Sequence, residues 1–391
     1  MINSALPSLV IRGRKLLPII QGGMGIGVSA HKLAGAVARE GAIGTIASID
    51  LRRLHPDLMA RTRRSKSAAE MDAANLEALD REIRDAREIC GPKGYLAVNV
   101  MKAVNQHPEL VRQACASGAN AIVMGAGLPL DLPDLVADYP DVALIPILSE
   151  ERGVKAVLKK WQRKGRLPDA IIIENPHHAG GHLGSPKLAD VNDPRFLFAR
   201  VIEELKGLFR QVEVALDNIP LIAAGGVNSF EKLKKLIADG WRGAQIGTPF
   251  AVTAEGDAHP NFKRVLAEAK AEDIVTFLSA AGLPARAVLT PWLKKYLGRE
   301  ARLKARVNPR QTVCAMSLEC LSHCGLKDAN PQAGQFCIDT QLAAAVQGNV
   351  ERGLFFRGSE ALPFGNEIRS VRDLLQLLLS GIDPRGNARP A

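Results

Sequence analysis

The chain has 391 residues, 47% hydrophobic, 24% charged and 4% aromatic, enough apolar material for a large core and too little bias for a disordered or fibrous protein. Its net charge of +10 suits anionic small molecules or an acidic carrier protein, whereas scattered basic residues and scarce aromatics argue against nucleic acid. No run approaches the ~18 apolar residues of a membrane helix, and Arg12, Arg14 and Lys15 interrupt the stretch where a signal peptide would be apolar, so the expectation is a soluble, cytoplasmic protein.

Short apolar runs alternate with amphipathic stretches along the first 255 residues, the rhythm of βα units around a parallel sheet. The first run, residues 17–20, leads into Gln21-Gly22-Gly23-Met24, and four glycines fall within residues 22–27. Such a loop lets backbone N–H groups approach a flat or anionic ligand; taken alone, a turn into a helix capped by Ser29 is the better reading. A helix is expected over 30–40 and a second strand over 42–47, followed by a charged insertion, residues 50–91, with a helix at 71–89. The third strand, 95–100, carries Asn99 between Val98 and Val100, where an amide is costly unless a ligand edge or an internal partner satisfies it.

Strands at 121–124 and 143–148 follow, with helices at 108–117, 132–137 and 152–164. The sixth strand, 170–173, runs into Glu174-Asn-Pro-His-His-Ala-Gly-Gly-His-Leu-Gly184. Gly180 and Gly181 would let His182 reach a ligand and supply amide donors, and histidine exchanges protons near neutral pH. His177, His178 and His182 share one irregular loop without a recognised metal spacing, so acid–base chemistry outweighs zinc. After a helix at 195–216, strand seven (220–224) ends in Gly225-Gly226; after a helix at 230–238, strand eight (243–246) ends in Gly247-Thr248. Those two loops are where barrels commonly hold a phosphate. Eight strands with intervening helices over about 250 residues give a (β/α)8 barrel, α/β in class, over a doubly wound sheet. The domain reading is a barrel over 1–255, including the insertion, and an extension over 256–391 with helices at 262–271, 343–348 and 371–379.

Within the extension Cys314, Cys320, Cys324 and Cys337 are spaced C-x5-C-x3-C-x12-C. This fits zinc knuckles poorly; it loosely resembles the cysteine run that holds an Fe-S cluster beside FMN in glutamate synthases, and four core thiols are the alternative.

Five motifs stand in a recognisable order: Pro18-Ile-Ile-Gln-Gly-Gly-Met24, Val98-Asn-Val100, Ala179-Gly-Gly-His-Leu-Gly184, Ile219-Pro-Leu-Ile-Ala-Ala-Gly-Gly-Val227 and Gln245-Ile-Gly-Thr-Pro-Phe250. On these, from about residue 18 to 263, the chain resembles the nitronate monooxygenases, formerly 2-nitropropane dioxygenases, and their relatives the FMN-dependent enoyl-ACP reductases. The resemblance implies FMN across the C-terminal mouth of the barrel, with its ring against Gln21, Gly22, Gly23, Met24 and Asn99. It puts the phosphate at Gly225, Gly226, Gly247 and Thr248, and makes His182 the catalytic residue. The family motif carries an acid just before Ala-Gly-Gly-His, where this chain has His178. The implied reaction is oxidation of an anionic alkyl nitronate with O2 to a carbonyl compound and nitrite, His182 orienting the anion or acting as base on a neutral nitroalkane. The alternative is an enoyl-thioester or quinone reductase fed by NAD(P)H, and from another class a flavin-binding sensor or interaction protein. Homo-oligomerisation is left open.

Overall fold

The computed structural model describes residues 2, 4–308, 310–314 and 320–386. The eight apolar runs become the parallel strands Ile19–Gln21, Ile43–Ala47, Tyr95–Met101, Ala121–Gly125, Ala143–Leu148, Ile171–Glu174, Leu221–Ala224 and Gly243–Ile246. They pair in chain order, and the eighth closes on the first with Ala244 beside Ile19 and Ile246 beside Gln21. This is a (β/α)8 barrel.

Strand alternation decides what fills it. Ile20, Ile43, Ala97, Val123, Ile145 and Ile172 belong to one buried inner cluster. Two residues further along their strands, Asn99 and Glu174 therefore face inward at the C-terminal end; Gln245 does too, because its neighbours Ala244 and Ile246 pack outward against the helices. The opposite end is covered by an antiparallel hairpin, Leu9–Ile11 with Arg14–Leu16, whose Leu9, Ile11 and Leu16 join the inner cluster. Its turn residues Arg12 and Gly13 have φ of 47° and 77°, the left-handed pair that a two-residue hairpin requires.

The outer layer is formed by helices His31–Arg39, His107–Ala116, Glu151–Gln162, Phe198–Gln211 and Phe230–Ala238, with a short Leu132–Leu135. The helix expected over 195–216 is shorter at both ends. Leu197 is extended (ψ 130°) after the separate turn Pro194–Phe196, and Glu213, at φ 55°, turns the chain away beyond Gln211. In the insertion, helices Pro56–Thr62 and Ala68–Cys90 pack against the barrel, the longer one capped by the Ser67 hydroxyl accepting from the Glu70 N–H at 3.3 Å.

The extension carries helices Pro260–Glu268, Pro291–Leu297, Glu300–Ala305, Ile338–Val346 and Val371–Ser380, the last lying against His31–Arg39 and Phe230–Ala238. It also forms an antiparallel pair, Ile274–Leu278 with Pro284–Val288, that the sequence did not suggest, since Pro-Ala-Arg-Ala-Val lacks the apolar alternation of a strand. A third strand completes this small sheet: Gly181–His182, with His182 opposite Ala285 and Gly181 opposite Arg286. Among the described residues no helix is long and apolar enough to cross a membrane.

Candidate active site

The C-terminal mouth of the barrel gathers the sequence-selected residues from five strands. The Gln21 side chain is buried, its Oε1 accepting from the Thr45 N–H at 2.8 Å and its amide donating to the Gly22 carbonyl, so it braces the first loop from below. Gly23 passes so close to Asn99 that a Cβ there would overlap the amide side chain. Met24 is tied to Ser29, whose hydroxyl accepts from the Met24 N–H at 2.8 Å. Among the described residues Oε1 of Gln245 is buried without a hydrogen-bond partner, beside Gly22. An orphaned acceptor of this kind calls for a donor from a ligand.

His182 is held between the barrel and the extension. Its Nε2 lies 2.9 Å from the Ser279 hydroxyl, its ring centroid 5.8 Å from that of Phe356, and its backbone in the three-stranded sheet. Burial depresses its pKa to about 4, so the imidazole is neutral at pH 7. The loop before it is clamped by Arg286, whose guanidinium donates to the carbonyls of Pro176, at 3.1 Å, and Ala179. Glu174, half-buried at the end of the sixth strand, has its pKa pushed up to about 7 by burial. Its Oε2 would be 3.0 Å from a Cβ at Gly184.

The other two histidines of the loop are turned elsewhere. His177 Nε2 bonds the Asp193 carbonyl at 3.0 Å. His178 lies over the loop after strand seven, where a Cβ on Gly226 (φ 83°) would come within 2.9 Å of its ring. Its Nδ1 is 3.2 Å from the Ser359 hydroxyl and 2.8 Å from Glu360 Oε1; burial lowers its pKa and Glu360 opposes the shift. Lys232 joins the group, 3.1 Å from the Gly226 carbonyl and 2.5 Å from Glu360 Oε2. Across the gap, Thr248 Oγ1 accepts from the Gly358 N–H at 3.0 Å, so Gly225, Gly226, Gly247 and Thr248 sit under a strap of the extension. Gly180 runs against that strap at Arg357 and Gly358.

Sequence reasoning had not selected Glu174 or Gln245, though the strand-end argument that found Asn99 applies to both. Ser279, Arg286, Phe356 and Glu360 carry no local signal; tertiary pairing brings them in. The cysteine segment is nearby: Gly325 and Gly334 donate to the Ala280 and Ser279 carbonyls at 2.8 and 2.9 Å. The Cys320 thiol is pushed up to about 12, chiefly by burial and further by Asp339 and the other three cysteines. Yet among the described residues no three His, Cys, Asp or Glu side chains stand where they could hold a metal ion.

Residues 13–381 match the nitronate monooxygenase family. The chain belongs to this family. It is accordingly an oxidoreductase. A probable nitronate monooxygenase of Bacillus subtilis is 27% identical over 291 residues, 71% of this chain and 78% of that protein. Two solved structures share the fold of this family member. FabK from Thermotoga maritima has a TM-score of 0.62 at 22% identity, covering 93% of this chain and 91% of that one. A nitroalkane oxidase from Streptomyces ansochromogenes has a TM-score of 0.61 at 18% identity, covering 92% and 94%.

Proposed function

We propose that the protein is an FMN-dependent nitronate monooxygenase acting on a small anionic nitronate and O2 in the cytoplasm. FMN, when bound, supplies the electron acceptor for the nitronate. The residues fit such a group. The unpartnered Gln245 Oε1 can accept from the ring edge, Asn99 can bond the same edge, and the Gln21–Met24 loop offers a flat backbone surface beside them. Gly225, Gly226, Gly247 and Thr248 would take the phosphate through backbone amides and the Thr248 hydroxyl. Gly180 and Gly181 keep side chains out of the space before His182.

The observation that carries the reading is the placement of His182 on the Gly180–Gly181 loop, its Nε2 2.9 Å from the Ser279 hydroxyl and its ring against Phe356, where burial lowers its pKa to about 4 and keeps the imidazole neutral. An uncharged hydrogen-bonding group suits an oxyanion without trapping it as a fixed ion pair would, and the Phe356 ring packs beside it. No step is assigned to the cysteines.

Anaerobic mixing of the yellow holoprotein with an alkyl nitronate, NADH or NADPH, each alone, tests the proposal by flavin absorbance. Bleaching by the nitronate and not by the nicotinamides is expected. Bleaching by NADH or NADPH alone would replace this reading with an enoyl-thioester or quinone reductase.

A further inference from the structure

Basic residues are scattered over most of the chain, but one short stretch holds more than half of their surplus. Residues 291–310 contain Lys294, Lys295, Arg299, Arg302, Lys304, Arg306 and Arg310 against Glu300 alone, a surplus of six within the net charge of +10. Lys304 pairs with Glu300 at 2.8 Å. The other six are exposed, and among the described residues they form no ion pair. Like charges left this close along a helix repel one another, and a bound polyanion relieves that cost.

The backbone sets four of them along one face. Helices Pro291–Leu297 and Glu300–Ala305 are joined by Gly298 and Arg299, both right-handed helical. Hydrogen bonds run through the joint: the N–H groups of Gly298, Arg299 and Leu303 donate to the carbonyls of Lys294, Tyr296 and Arg299 at 3.1, 2.9 and 2.9 Å. Arg306 continues the same conformation, so the path is one bent helix on which Lys295, Arg299, Arg302 and Arg306 recur at steps of four, three and four. That spacing makes a single stripe. A second stripe, Leu293, Tyr296 and Leu303, runs beside it. Leu293 and Tyr296 are buried in the core of the extension, whereas Leu303 is 36% exposed, so the helix runs out past the core that covers its apolar side.

A basic stripe next to an uncovered apolar one matches an anionic bilayer surface, whose phosphates take the cations and whose headgroup boundary takes the apolar side chain. Nucleic acid would use the cations but not Leu303, and it stacks its bases on free rings. The rings here are engaged: Trp292 stacks on Tyr296 at 5.7 Å, and both meet Phe336 edge-on. We infer that this helix docks the protein peripherally on a membrane surface rich in anionic lipid.

Co-sedimentation of the holoprotein with lipid vesicles is the test. Phosphatidylcholine vesicles carrying about 30% phosphatidylglycerol should bind it, and pure phosphatidylcholine should not. A triple variant, Arg299→Gln with Arg302→Gln and Arg306→Gln, should keep its circular dichroism and bind about 10² times more weakly, about fivefold for each cation removed. The control, Lys155→Gln with Lys159→Gln and Lys160→Gln, takes the same charge from the barrel helix Glu151–Gln162. It should bind within about threefold of the wild type, because charges more than about 8 Å from the surface are screened at physiological salt. If the triple variant misfolds, Arg302→Glu replaces it, with a loss of about tenfold or more expected from the reversed charge. No preference for the anionic vesicles, or an equal loss in the stripe variant and the control, overturns the inference. So does a single strand of dT that binds more tightly than the vesicles and is lost in the same stripe variant, which would make this helix a nucleic-acid site.

Discussion

His178 Nδ1 lies 2.8 Å from Glu360 Oε1, so the residue that replaces the family motif's acid receives a carboxylate from the extension, 182 positions further along the chain. That carboxylate faces the Gly225–Gly226 turn together with Lys232, and it offsets part of the positive charge of Lys232 there. Glu360→Gln should therefore bind a phosphorylated flavin more tightly, by a few-fold at low salt and less as salt screens it, about 8 Å being the Debye length at physiological strength. Fluorescence titration of apoprotein with FMN and with riboflavin is the measurement, and riboflavin, which lacks the phosphate, should show no gain. An equal gain for both would place the phosphate elsewhere.

Gly226 has a φ of 83°, and a Cβ there would come within 2.9 Å of the His178 ring. Gly226→Ala strains the backbone and pushes the ring, so FMN affinity should fall by tenfold or more, on the order of the 1–2 kcal/mol that such backbone strain costs. Chromatography of the released chromophore should identify FMN in the wild type. FAD would contradict a loop pair sized for one terminal phosphate.

Glu174 has a pKa raised from 4.5 to about 7, so the folded state holds a proton that the unfolded state releases near pH 4.5. Its contribution to stability is full below pH 4.5 and is lost as pH rises through 7. Glu174→Gln should flatten that part of the stability curve, gaining at pH 8 relative to pH 5 by up to about 3 kcal/mol. Denaturant unfolding of apoprotein at the two pH values checks the sign. A loss at pH 8 would mean that the ionised carboxylate has a partner worth more than its burial costs.

Glu82 titrates the other way. Burial alone would raise it, but His31 and His55, at 2.7 and 3.0 Å, hold it at about 2. Its contribution is present above pH 4.5 and disappears as pH falls toward 2. Glu82→Gln should thus be less stable than the wild type at pH 7 and converge with it at pH 2 to 3 in the same unfolding experiment.

The barrel was legible because strands buried on both faces read as apolar runs, and all eight fall within two residues of their expected bounds. Asn99, His182 and the paired glycine loops were legible because polar or flexible residues at strand ends have few structural uses. The opaque part is what the extension supplies. Ser279 and Phe356 reach His182 across 97 and 174 positions, and Pro284–Val288 becomes a strand only because Gly181–His182 and Ile274–Leu278 flank it. Pairing at such separation leaves no local periodicity.

His182 gives the most direct test of how the mouth treats its substrate. Among the described residues its Nε2 lies 2.9 Å from Ser279 Oγ, and Nδ1 is the ring nitrogen outside that contact. An asparagine places an amide N–H near the position of Nδ1, so His182→Asn keeps a donor and loses the ring, whereas His182→Leu keeps bulk and loses the donor. With a preformed nitronate, His182→Asn should retain kcat/KM within about tenfold and His182→Leu should lose about 10² to 10³, the scale of removing one donor to a developing or bound oxyanion. Flavin occupancy must be matched by absorbance, so that loss of cofactor is not read as loss of chemistry. If His182 acted instead as a base, the two variants would fail alike on a neutral nitroalkane, and Asn would offer no rescue. Equal, large losses for both variants on the nitronate would show that the ring itself, through its contact with Phe356, shapes the site. In that case donation from Nδ1 contributes little.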